Sequence, residues 1–99
     1  MVVFSKTASI APGKTPSALE HAHEVADYVT RTYGIEVEVL VPIGGNPQRV
    51  AWSVRYKDLA AYEGVSNKLR DDKQYWEIVS KNSGLFLPGS IRDSFWRVI

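Results

Sequence analysis

The stretch Glu20-His21-Ala22-His23-Glu24 sets two imidazoles between two carboxylates. These are residue types that bind metals and carry protons near neutral pH. The surrounding apolar period is helical, and on a helix residues two apart point about 200° away from each other. His21 and His23 therefore cannot hold one ion from an intact helix. Metal pairs on a helix need a spacing of three or four. His21 with Glu24, or Glu20 with His23 or Glu24, meets that spacing but lacks a third ligand. No metal site is expected. On the helical wheel His21 falls with Glu24, Tyr28 and Arg31 on the expected outer face. His23 falls with Leu19, Ala26 and Thr30 at the rim of the apolar stripe. There it can look into a space between helix and sheet and exchange a proton, so His23 is the candidate catalytic residue.

Aromatic side chains supply the second group. Trp52 lies mid-strand on the face expected to meet the helices, Tyr62 on the inward stripe of its helix, and Trp76 in the next helical segment. With His23 they form the candidate ligand pocket, apolar walls with a few polar tips. The alternative is that each is core, since each buries a large apolar area. Trp96 has no assignable side, because both faces of its segment carry apolar residues. The turn Gly44-Gly45-Asn46-Pro47 lacks the spacing and the following helix of a phosphate loop. No paired carboxylates at acid/base spacing and no nucleophile elbow are present.

Ninety-nine residues make one domain, 1–99, with a modest core. Twelve basic and eleven acidic side chains leave a net charge of +1, which gathers neither nucleic acid nor an anionic membrane. No apolar run nears the roughly 20 residues of a membrane span. The absence of cysteine removes disulfides, thiolate nucleophiles and Cys-based zinc sites, and fits a reducing cytoplasm.

The elements that position these residues follow from periodicity. Residues 2–10 alternate as a strand, with Val2, Phe4, Ala8 and Ile10 on one side. Thr15 or Ser17 is expected to cap a helix over 17–33, and Gly34 to stop it. Residues 35–43 and 48–56 alternate as a hairpin. A loop of Gly44–Pro47 would place Val37 opposite Val54, Val39 opposite Trp52, Val41 opposite Val50, and Glu36 opposite Arg55, an expected ion pair. Asp58 caps a helix carrying Leu59, Tyr62, Ser66 and Leu69. Asp71 or Asp72 caps a third segment that stops near Gly84, and residues 91–99 form a last strand. Strand, helix, strand, strand, helix, strand is the split βαβ pattern of ferredoxin-like α+β folds, a four-stranded antiparallel sheet with its helices on one face. The bare sheet face calls for cover, and a second copy of the chain is the expected partner.

"IAPGK" after the first strand, the striped helix closed by Gly34, "RVAWSVRYKDLAAYE" and "KLRDDKQYWEIVSKN" resemble the NIPSNAP-like members of the dimeric α+β barrel proteins. The resemblance implies that two ferredoxin-like subunits join their sheets into a barrel with helices outside. It also implies a ligand place between a subunit's helices and its sheet. The wider group includes cofactor-independent oxygenases, haem-degrading oxygenases and lactone isomerases. The expected function is small-molecule binding by a homodimer, without cofactor, nucleic acid or membrane. The alternatives are a cofactor-independent monooxygenase or isomerase on an apolar or aromatic substrate, or a haem-binding oxygenase with His23 as the only axial donor.

Overall fold

A computed structural model describes residues 1–81 and 83–99. In chain order it has strand β1 (Val2–Ser9), helix α1 (Thr15–Tyr33), strands β2 (Val37–Leu40) and β3 (Arg49–Tyr56), helices α2 (Leu59–Arg70) and α3 (Lys73–Ser80), and strand β4 (Arg92–Arg97). The sheet order is β2-β3-β1-β4, antiparallel throughout. This is the ferredoxin-like layout expected from the sequence, with the second helical unit broken in two.

The breaks and starts have local causes. Gly34 takes the left-handed conformation (φ 69°) and returns its N–H to the Thr30 carbonyl. The expected caps of α1 are absent: Lys14 occupies the N-cap position without a side-chain bond, and Pro16 sits in the first turn. Asp58 and Asp72 each accept a backbone N–H, from Ala61 at 2.9 Å and Tyr75 at 3.0 Å. Asp72 thereby starts a new helix two residues after α2 ends. α3 ends at Ser80, earlier than Gly84. The expected third segment ran on to Asn82, which lies outside the described residues.

The hairpin has the expected register, Val37 opposite Val54 and Val39 opposite Trp52. It is shorter than expected, because β2 stops at Leu40. Pro42 has no N–H to give a ladder. Val41 and Ile43 stand exposed, and the Gln48 carbonyl accepts the Ile10 N–H instead of facing Ile43. Glu36 falls outside β2, and among the described residues it makes no ion pair with Arg55.

Alternation along paired strands sorts the sheet into two faces. Phe4, Lys6, Ala8, Val50, Trp52, Val54, Tyr56, Asp93 and Phe95 share the helix side. Val3, Ser5, Thr7, Leu40, Ala51, Ser53, Ser94 and Trp96 share the open side. Trp96 thus lies opposite Val3 on the open face, 65% exposed.

The core is small and sits at one end. Ala8, Ile10 and Val50 of the sheet meet Ala18 and Ala22 of α1 and Leu85. Alanines on α1 let its backbone lie close to the sheet. By contrast, α2 and α3 contain no buried residue. Both stand off the sheet; α2 reaches it through the half-buried Tyr62, whose ring packs against Phe4, Tyr56 and Phe95 at centroid distances of 4.7–5.7 Å.

Candidate functional site

The space left by that stand-off is a cleft of about 660 Å³ between the helices and the sheet. Trp52 from β3, Tyr62 from α2 and Trp76 from α3 all line it, with Phe4 and Phe86. Each arrives there for a separate reason. Trp52 is set by strand alternation and by its indole N–H, which donates to the Ala22 carbonyl at 3.1 Å. Tyr62 is set by the Asp58 cap and the aromatic cluster. Trp76 is half exposed at the cleft edge, its indole N–H donating to the Arg70 carbonyl at 3.0 Å.

His23 is not in this cleft. It is exposed, on the outer face of α1 with Glu20, Asp27 and Arg31. The imidazole that turns inward is His21, 5% exposed, together with Tyr28 at 7%. The expected assignment of the two histidines is therefore reversed. The buried stripe of α1 is centred on Ala18, Ala22, Val29 and the half-buried Val25, not on Leu19, and this rotates the inward face toward His21 and Tyr28. The 200° argument stands, since only one histidine turns in. With His23 outside, it cannot supply an axial ligand to a group held in the cleft.

His21 lines the cleft and packs against Phe86, ring centroids 6.1 Å apart. Burial lowers its pKa from the ordinary 6.5, against the opposing pull of Glu24, so the neutral imidazole is favoured. Its Nδ1 lies 3.9 Å from Glu24 Oε1, beyond hydrogen-bond distance. Glu24 is in turn held by Lys81 Nζ at 2.8 Å, which lowers the carboxyl pKa. The cleft's other charges include Lys6 and Asp93, paired across β1 and β4 at 2.8 Å, and Arg70 near its exposed rim. Among the described residues no cluster of three or more His, Cys, Asp or Glu side chains is placed to hold a metal.

A second polar knot was not visible in the sequence. Asp72 accepts the hydroxyls of Tyr28, at 2.7 Å, and of Tyr33, tying α1 to the start of α3. These bonds lower the Asp72 pKa and push Tyr33 up to about 12. The aspartate was legible as a cap, but tyrosines about 40 residues away leave no local signal.

No family model and no curated relative matches the chain. Solved structures do. A NIPSNAP-domain protein from Burkholderia xenovorans superposes with a TM-score of 0.84 at 17% identity, over 100% of this chain and 95% of that one. The fold is that of the NIPSNAP-domain proteins. A NIPSNAP family protein from Agrobacterium tumefaciens matches at 0.80 and 18%, over 97% and 90% of the two chains. A candidate antibiotic biosynthesis monooxygenase from Nitrosomonas europaea matches at 0.74 and 15%, over 100% and 99%. The NIPSNAP resemblance read in the sequence thus holds at the level of fold, a ferredoxin-like α+β layout. No helix among the described residues is long and apolar enough to cross a membrane.

Proposed function

We propose that the chain is a small-molecule-binding protein that works as a homodimer and takes an apolar or aromatic ligand in the cleft between helices and sheet. The observation that carries this reading is the cleft itself. Its volume, about 660 Å³, falls in the usual range for ligand sites. Its walls are Phe4, Trp52, Tyr62, Trp76 and Phe86, with His21 as the buried polar group. A core of this size would ordinarily use such aromatics to fill space; here they surround it. Dimerisation is supported by the open sheet face, where Leu40 and Trp96 are 46% and 65% exposed beside Val3 and Ala51. Titrating naphthalene against the tryptophan fluorescence tests the ligand claim. Saturable quenching is expected, and none would refute it.

A second reading is a cofactor-independent monooxygenase or isomerase on such a ligand. It is favoured by the likeness to candidate antibiotic biosynthesis monooxygenases from Deinococcus radiodurans and Nitrosomonas europaea. The proton carrier would then be His21, since His23 faces outward. The haem-binding alternative loses its only named axial donor for the same reason.

A further inference from the structure

His21 is nine-tenths buried, and its Nδ1 has no hydrogen-bond partner among the described residues. An unpaired polar atom in such a place is costly, so its persistence points to a partner that arrives with a ligand or with a small movement. The imidazole lies between two spaces. On one side is the outer groove, where Glu24 is fixed by Lys81 and faces Nδ1. On the other is the aromatic cleft. Lys81 holds Glu24 Oε2, and the other oxygen, Oε1, is the one facing Nδ1 at 3.9 Å. A rotation of the carboxylate about the Lys81 bond that moves Oε1 by under about 1 Å is what a bond to Nδ1 requires. A carboxylate at Nδ1 fixes the proton there and leaves Nε2 with its lone pair free. No described residue bonds Nε2, which is the atom left to meet an occupant of the cleft.

The cleft also limits what that occupant carries. Lys6 and Asp93 already satisfy each other at 2.8 Å. Burial disfavours the imidazolium, so His21 offers no fixed positive charge. Neutral imidazole packed on Phe86, which in turn meets Trp52, accepts a hydrogen bond. We propose that the cleft takes a planar aromatic molecule bearing a hydroxyl, a phenol or an enol, and that His21 accepts that hydroxyl at Nε2 while Glu24 holds the proton on Nδ1. This deepens the small-molecule reading and rests on it.

The test compares naphthol, naphthalene and naphthoate on the full chain by calorimetry or tryptophan quenching. Naphthol is the more water-soluble of the first two, so a purely apolar cleft would prefer naphthalene. The wild type is expected to bind naphthol about tenfold more tightly than naphthalene, the size of one hydrogen bond. In His21→Phe the preference should vanish or turn toward naphthalene, a ratio of about one or below, while naphthalene binding remains. A measurement on the wild type needs no folded variant. Lowering the pH from about 8 to the point where the His21 resonances have titrated should erode the naphthol preference as the imidazole gains a proton, with naphthalene unaffected. Other charged or titratable groups lining the two spaces include Glu24, Lys81, Lys6, Asp93, Arg70 and Tyr75; Glu24, 3.9 Å away, has its carboxyl pKa lowered by the Lys81 bond and stays a carboxylate across that window. A preference retained in His21→Phe, indifferent to pH, or reversed in favour of naphthoate would overturn the proposal. Failure of all three probes to bind would overturn the small-molecule reading beneath it.

Discussion

Trp52 joins sheet to helix, its indole N–H donating to the Ala22 carbonyl across 3.1 Å. The bond holds α1 against β3 at the point where the core gives way to the cleft, because Ala22 is fully buried and Trp52 is not. Trp52→Phe keeps the apolar wall and removes the donor. The expected cost is about 1 kcal/mol, the worth of one such bond, read as a lower denaturant midpoint at unchanged slope.

Asp72 does three things at once: it caps α3 and accepts from Tyr28 and from Tyr33. Asp72→Ala should lower the melting temperature by several degrees, more than Asp58→Ala, which loses a single capping bond. A comparison of the two melting curves checks it.

The same knot sets both ends of the pH range. Asp72 has a lowered pKa, so its contribution is present above the ordinary carboxyl value of 3.8 and is lost as pH falls below it. Tyr33 has a raised pKa, so its contribution is present below 10 and is lost as pH rises from there toward about 12. Stability measured against pH should fall at both ends, and Tyr33→Phe should flatten the alkaline limb.

His21 makes a prediction in the middle of that range. Its pKa is lowered by burial, so the neutral ring contributes stability above 6.5, and that is lost as pH falls through the folded value. Its imidazole resonances should titrate below 6.5 in the folded protein and return to it on unfolding.

How far these features could be read from the sequence depends on the range of the interaction behind them. The β2–β3 register was legible because alternation and loop length agree, and a slip of one residue would turn every side chain over. Asp58, Gly34 and one of the paired aspartates were legible because caps act within a turn. The two histidines were separated correctly by helix geometry, yet assigned to the wrong faces. Which residues centre a stripe depends on what packs against it: the close seat of Ala18 and Ala22 on Ala8, Ile10 and Val50, which is a tertiary fact. Trp96 could be given a side only by its pairing with Val3. The cleft arises because α2 and α3 bury nothing completely, and no periodicity records a helix's distance from its sheet.

The open face yields its own prediction. Trp96 and Leu40 lie where a second sheet would cover them. Light scattering should report a dimer at micromolar concentration, and Trp96→Lys should shift it to monomer.

The central claim is that the cleft, and not the open face, receives the ligand. The three indoles make one measurement sufficient: Trp52 and Trp76 line the cleft, and Trp96 lies on the opposite side of the sheet. Proton–nitrogen correlation spectra of the indole N–H groups, recorded while naphthalene is added, read all three at once. Progressive shifts at Trp52 and Trp76 with Trp96 still are the predicted result; movement of Trp96 alone, or of none, would contradict it.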